Sequence, residues 1–201
     1  MTHGGAPARA GVLVGASFLS LSAHAHLTSS GMGPLYDGLL HFLLSPEDLV
    51  PAFGLALLCG LRGSRHSRVV LFVLPCAWLL GSLAGLGATT APGSGVVSAV
   101  WFLLVGGLDA ADAKLSVPAI AALAAALGLY HGFLNGAGTG HSISAAITVI
   151  GLVSAVFVLF ALAAAFAVQL HQHWARIAIR VIGSWIAASG LLLLGWAIRG
   201  G

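Results

Sequence analysis

Long uncharged apolar runs dominate this sequence and decide which solvent it can fold in. Only 6% of its 201 residues are charged, 59% are hydrophobic, and the mean hydropathy is +1.03. Soluble domains are about a quarter charged, so this chain has too few charges for an aqueous surface. Lipid offers no hydrogen-bond partners, so the backbone N–H and C=O groups of each apolar run must bond to one another. A continuous run achieves this by forming a helix. The sequence therefore predicts an all-α, polytopic transmembrane helix bundle.

Six apolar segments follow the N-terminal stretch at positions 1–25. A helix needs about 20 residues to cross a hydrocarbon core about 30 Å thick. The third segment is short, and we count it as a crossing because the basic loops then stay on one side of the membrane. The segments cover residues 35–61, 69–86, 96–108, 115–134, 142–168 and 177–198, and we expect them to form a single transmembrane domain over residues 26–201.

The N-terminal stretch at positions 1–25 has the layout of a secretory signal. Arg9 precedes an apolar run at residues 11–21, which is too short to span the membrane, and small residues follow at Ala23 and Ala25. This order of basic, apolar and small residues is typical of a signal segment. Cleavage after Ala25 would make His26 the mature N-terminus. An uncleaved signal anchor is the alternative.

The first mature segment is expected to be broken. Pro46 disrupts a helix interior but suits the first position of a new helix. Ser45 and Asp48 have the spacing of a capping box, in which each side chain bonds to a backbone N–H at the helix start. We therefore predict that one helix ends near Ser45 and that a second begins at Pro46.

The basic residues predict an orientation. Arg62, Arg65 and Arg68 form one cluster, Arg176 and Arg180 form another, and the loop at 87–95 has no charge. Cytoplasmic loops are enriched in Lys and Arg, and alternate crossing puts both clusters on the same side. We expect a multi-pass protein of the bacterial inner (cytoplasmic) membrane with its mature N-terminus outside.

Polar residues collect near the outer ends of the helices on this topology. His131 and Asn135 are four residues apart, so both side chains lie on one helix face. Ionisable groups in membrane segments are expensive and are functional candidates, and imidazole with carboxylate or amide suits a borderline divalent metal. The candidate metal ligands are His26, His41, Glu47, Asp48, His131, Asn135 and His141.

Simpler interpretations exist for the same residues. Glu47 and Asp48 are residue types that a helix N-terminus favours electrostatically, so both could act only by stabilising the start of the helix. His131 could be a residue that hydrogen-bonds to a neighbouring helix. The five tryptophans are interpreted as packing residues or interface anchors.

Two motifs resemble those of the HupE/UreJ family of hydrogenase and urease accessory membrane proteins. The family's first motif is close to H-P-x-x-G-x-D-H and its second to H-G-x-A-H-G; the corresponding stretches here run from His41 to Asp48 and from His131 to Gly136. Glu47 stands where the family has Asp, and Asp48 and Asn135 stand where it has His. The signal ending in Ala-His-Ala-His and the number and order of segments are similar too.

The resemblance implies transport of nickel or cobalt, with His41, Glu47, Asp48 and His131 as the carried-over positions. A permease for a divalent transition metal is the main hypothesis, with copper or zinc as alternative substrates. No cofactor is expected to be bound permanently. The expected partners are the metal ion, the lipid bilayer and further copies of the chain. No nucleic acid is expected, because no basic stripe with interleaved aromatic residues occurs.

Two other functions compete with transport. The first is a non-transporting accessory protein that binds metal or a partner at the outer face. The second is an intramembrane hydrolase that would use Ser94 or Ser142 with a histidine, but neither serine lies in a recognisable nucleophile motif. No nucleotide-binding loop of the G-x-x-x-x-G-K-[ST] type is present, and we expect no enzymatic activity.

Overall fold

The structure of the chain is a computed structural model that describes residues 30–88, 95–137, 139–170 and 172–199. The signal-like segment at 1–25 and His26 lie outside these residues. All regular structure in the described residues is helical. The helices are α1 (Pro34–Leu44), α2 (Pro46–Arg62), α3 (Ser64–Gly85), α4 (Gly95–Ala110), α5 (Val117–Ala137), α6 (Ile143–Gln169) and α7 (His173–Arg199).

The helices confirm an all-α membrane fold. In the described part of the chain, α3, α5, α6 and α7 each have the length and hydropathy to cross a membrane, and α1 and α2 qualify together as one bent pair. α4 has 16 residues, whereas a helix needs about 20 residues to cross a typical hydrocarbon core. Each predicted apolar segment corresponds to one of these helices or to the bent pair. The number of complete crossings stays a prediction.

The break in the first segment occurs where it was predicted. α1 and α2 meet at an angle of 72°, and Pro46 is the first residue of α2. Ser45 is the N-cap residue by position and has an extended backbone, but its side chain makes no capping hydrogen bond. The capping-box prediction is therefore wrong. The carboxylate of Asp48, which would have completed the box, is bound by side chains of another helix instead.

Glycine allows α3 and α5 to approach closely. Gly128, Gly132 and Gly136 repeat every four residues on one face of α5, and a Cβ atom at any of them would collide with the α3 backbone or the side chain of Ala77. Small residues at this spacing let helix backbones pack by van der Waals contact in lipid, where no hydrophobic exclusion drives association. The same device recurs at Gly106 and Gly183, where α4 meets α7.

α2 is the central helix of the bundle. It contacts all the other helices and has ten buried residues, most of them small or aliphatic. Its first turn contains Asp48 and its last residue is Arg62. Asp48 and Arg62 lie at opposite ends of α2. We call the end of the bundle near Asp48, where His41 also lies, the His41 end, and the opposite end the Arg62 end. On the predicted topology the His41 end faces outward.

Candidate functional site

Asp48 is the centre of a buried polar cluster at the His41 end. It lies in the first turn of α2 and is only 4% exposed. Its Oδ1 lies 2.7 Å from Nδ1 of His131, and its Oδ2 accepts a hydrogen bond of 3.0 Å from Nδ2 of Asn135. The helical spacing of His131 and Asn135 was therefore interpreted correctly, since both side chains of α5 reach the same carboxylate.

His41 extends this cluster toward the surface. Its Nε2 lies 2.9 Å from Oδ1 of Asn135. Because the Asn135 amide nitrogen faces the carboxylate, which can only accept, its oxygen must face His41, and the His41 Nε2–H donates to it. Together, His41, Asn135, Asp48 and His131 form a continuous hydrogen-bonded series that we call the polar chain. It joins α1, α2 and α5.

His131 has one ring nitrogen bonded and the other unpartnered. Its Nδ1–H donates to Asp48, so in the neutral imidazole Nε2 has a free lone pair. The side chain is buried, and Nε2 has no hydrogen-bond partner among the residues that the structure describes. Metal-binding histidines characteristically donate their second N–H to a carboxylate, which fixes the ring and raises its basicity. The geometry of His131 is that of such a ligand.

Aromatic rings enclose the His131 imidazole. Trp78 of α3 stacks on it with ring centroids 5.5 Å apart, Tyr130 meets it edge-on at 5.2 Å, and Trp101 of α4 lies at 6.2 Å. Phe42 packs edge-on against Trp78. These rings exclude water and lower the local dielectric, which strengthens an electrostatic interaction with the imidazole or its ligand.

The aromatic enclosure was missed by the sequence analysis. Trp78 and Trp101 were interpreted as packing or interface residues, and they come from helices far from His131 in sequence. No local spacing links them to the histidine. Only the glycine contacts between α3 and α5 bring Trp78 against it.

The other predicted ligands lie apart from the polar chain. Glu47 is exposed, and no hydrogen bond joins it to the polar chain in the described structure. His141 is also exposed, and its ring packs against Gly87, where a Cβ atom would overlap it. Gly87 has a φ of 74°, a left-handed conformation that also favours glycine. His26 is outside the described residues.

A family comparison bears on this site. The family model described as HupE / UreJ protein matches residues 14–193, which is most of the sequence. The chain belongs to the HupE/UreJ family. The resemblance drawn from the two motifs is thus confirmed. No curated protein and no solved structure matches this HupE/UreJ chain.

Family membership gives a coarse function. HupE/UreJ proteins are membrane proteins with an accessory or transport role related to nickel or cobalt, and the family is not a known enzyme family. The apolar helices of this HupE/UreJ chain agree with a multi-pass membrane protein.

The polar chain of this HupE/UreJ member contains two imidazoles, one carboxylate and one amide. Within the described ranges, no group of three or more His, Cys, Asp or Glu residues is close enough to hold a metal ion. Asn135 lies between His41 and Asp48 and contributes an amide. Any ion held by this cluster would need the Asn135 oxygen or a rearrangement that brings His41 closer.

Proposed function

We propose that this protein is a membrane permease for a divalent transition metal, nickel or cobalt, and that His131 binds the ion inside the bundle. The observation that carries the proposal is the buried, unpartnered Nε2 of His131, with Nδ1 oriented by Asp48. Asp48 then acts mainly as the orienting carboxylate and supplies a negative charge close to the ion.

The energetics support a functional role for the polar chain. An aspartate at the bilayer centre costs about 2.5–3.5 kcal/mol to insert. Hydrogen bonds between membrane helices return about 0.6 kcal/mol on average and at most about 1.7 kcal/mol each. At most, the two bonds to Asp48 therefore match the cost of a carboxylate at the bilayer centre. Because the net stability that they return is small, an intramembrane acid such as Asp48 is a candidate for function.

The polar chain also provides a route to His131. His41 is half-buried and lies nearer the surface, whereas His131 is buried. An ion entering at the His41 end would first meet the His41 imidazole and the Asn135 amide oxygen, and then His131 and Asp48. His26, Glu47 and His141 are proposed to help attract the ion before it enters. Release at the Arg62 end requires alternate access of the bundle.

The donor types favour a late divalent metal. Imidazole nitrogen with carboxylate and amide oxygen suits nickel, cobalt, zinc or copper(II), and the polar chain contains no thiolate that would select a softer ion. Family membership favours nickel and cobalt within this set.

The test is metal transport by the purified full chain in lipid vesicles. We expect saturable uptake of nickel or cobalt by the wild type, and a loss of at least tenfold in the His131→Ala variant. The matched control is His173→Ala, an exposed histidine at the start of α7, which should transport normally. Quenching of tryptophan fluorescence by the metal reports binding separately, since Trp78 and Trp101 lie beside His131.

The two readouts separate transport from the accessory alternative. Wild-type protein that binds nickel or cobalt through His131 but carries none across the vesicle membrane would contradict the permease and support a metal-binding accessory protein. Equal uptake by wild type and His131→Ala would show that the ion does not pass through this site.

A further inference from the structure

A second buried acid lies near the opposite end of the bundle. Asp109, in the last turn of α4, is 0% exposed. Neither of its carboxyl oxygens has a hydrogen-bond partner among the described residues. Asp109 belongs to neither of the two sequence motifs. Asp48 is similarly buried but has both oxygens bonded, so the two acids differ in bonding rather than in burial.

The space around Asp109 depends on glycine. A Cβ atom at Gly54 of α2 would lie 3.1 Å from Oδ2 of Asp109 and 2.7 Å from a methyl carbon of Val105. A Cβ atom at Gly183 of α7 would collide with the Asp109 side chain itself. The Asp109 side chain thus lies in a slot between α2 and α7 that exists because both helices have glycine there.

The charged and titratable groups facing this slot come from both helices packed against α4. α2 contributes Cys59 and Arg62, and α7 contributes Arg176 and Arg180. Arg62 forms an ion pair with Asp112, and Arg176 lies 3.5 Å from the other oxygen of the same carboxylate. Arg180 donates from Nε to the backbone oxygen of Ala110 at 2.9 Å.

None of these contacts is a hydrogen bond or ion pair with Asp109, although Arg62 is near enough to interact with it electrostatically. Asp112 has a positive φ, in the left-handed region that aspartate tolerates better than most residues, and this turn directs its carboxylate toward the arginines. An ionised carboxyl group without a hydrogen-bond donor from the protein is strongly disfavoured in an apolar interior, whereas a neutral carboxylic acid is tolerated.

We propose that Asp109 is a proton-binding site, occupied in this conformation, and that its proton is exchanged for the metal ion during transport. The proton-binding part stands on the slot and the missing hydrogen bonds alone. The exchange part rests on the proposed permease function.

α2 provides the physical connection between the two sites. Gly54 follows Asp48 by less than two helical turns, which corresponds to about 9 Å along the helix axis. A dication held near Asp48 and a proton on Asp109 both add positive charge to the surroundings of this one helix. Loss of the proton leaves a negative charge that favours the dication, so occupancy by one disfavours the other.

The first experiment detects the proton directly and needs no transport. Infrared spectroscopy of the purified full chain in lipid should contain the carbonyl stretch of a protonated carboxylic acid at neutral pH. This band should shift when the protein is labelled with [¹³C]aspartate and disappear in Asp109→Asn. It should persist in Asp112→Glu, which keeps a carboxylate for Arg62 and removes the labelled aspartate at that position. Absence of the band in wild type, or its persistence in Asp109→Asn, would overturn the proposal.

If Asp109→Asn does not fold, the infrared band can still be assigned by eliminating the other acids of the chain. The whole chain has only five acids, namely Asp37, Glu47, Asp48, Asp109 and Asp112. The isotope shift excludes Glu47, and an aspartate band that survives in Asp37→Asn, Asp48→Asn and Asp112→Glu is assigned to Asp109 by elimination. A band lost in one of those three variants assigns the proton elsewhere and contradicts the proposal.

The second experiment tests exchange. Vesicles containing a pH-sensitive dye should report proton movement opposite to nickel or cobalt uptake by the wild type. In Asp109→Asn the rate of this proton movement should fall at least tenfold. The metal concentration that half-quenches tryptophan fluorescence should stay at the wild-type value. Unchanged proton movement in Asp109→Asn would disprove exchange at this site. A wild type that transports no metal would disprove exchange together with the permease, whereas the infrared result would still stand.

Discussion

The two ends of the bundle differ in the hydrogen bonding of a buried acid. At the His41 end, Asp48 accepts hydrogen bonds from His131 and Asn135. Near the Arg62 end, Asp109 is as fully buried but is surrounded by glycine positions and aliphatic atoms, and the nearby arginines are bonded elsewhere. Burial alone therefore does not define what an intramembrane acid does. Its donors decide whether it can remain charged.

This difference assigns different chemistry to the two ends. A carboxylate that orients an imidazole and stays ionised favours a cation next to that imidazole. A carboxyl group without donors favours a bound proton. Because α2 packs against both sites, movement of one helix would alter both at once.

The largest expected effect is at the bonded acid. Asp48→Asn keeps the shape of the side chain but places an amide where His131 and Asn135 both donate, so one donor loses its acceptor. Replacing a carboxylate that orients a metal ligand typically weakens metal affinity about 10-fold to 100-fold. We expect a shift of this size in the metal concentration that half-quenches tryptophan fluorescence. An unchanged midpoint would remove the distinction between the two ends.

The second largest effect is expected near the Arg62 end, at the glycine that packs against Asp109. Gly183→Ala forces a methyl group against Asp109, and overpacking of this kind costs about 1–3 kcal/mol. We expect a lower thermal unfolding midpoint in detergent and an altered infrared band from Asp109, with unchanged metal quenching at the His41 end. Gly195→Ala is the control on the same helix, since its Cβ would meet no atom within 4 Å in the described structure. Equal destabilisation by both substitutions would show that Gly183 is not specifically required to accommodate the Asp109 side chain.

The smallest effect concerns the arginine beside the slot. The Arg176 side chain is 50% exposed and lies 3.5 Å from Asp112, and exposed ion pairs contribute about 0–1 kcal/mol. Arg176→Ala should therefore leave the unfolding midpoint nearly unchanged. It should also leave the Asp109 band intact, because Arg62 continues to hold Asp112. A loss of that band would indicate that Arg176 controls the proton site.

Part of the candidate site could be predicted from sequence. The spacing of His131 and Asn135 indicated one helix face, and Pro46 indicated the helix break beside Asp48. Glu47 and His141 were also predicted to be ligands, and the structure leaves both outside the polar chain. The predicted capping box at Ser45 and Asp48 does not form: the Ser45 side chain makes no cap, and the Asp48 carboxylate is bonded to donors on α5. Local spacing cannot reveal such competition between a cap and a distant helix.

The amino-acid sequence by itself determined the all-α membrane fold, the approximate segments and the break at Pro46. It could do so because lipid requires each apolar run to satisfy its own backbone hydrogen bonds, which is a local condition. The tertiary structure alone decided that Asp48 meets His131, 83 residues away in sequence, and that Asp109 meets no donor in the described structure. Those outcomes depend on which glycine faces bring the helices together, and close packing between helices is a non-local property of the whole bundle.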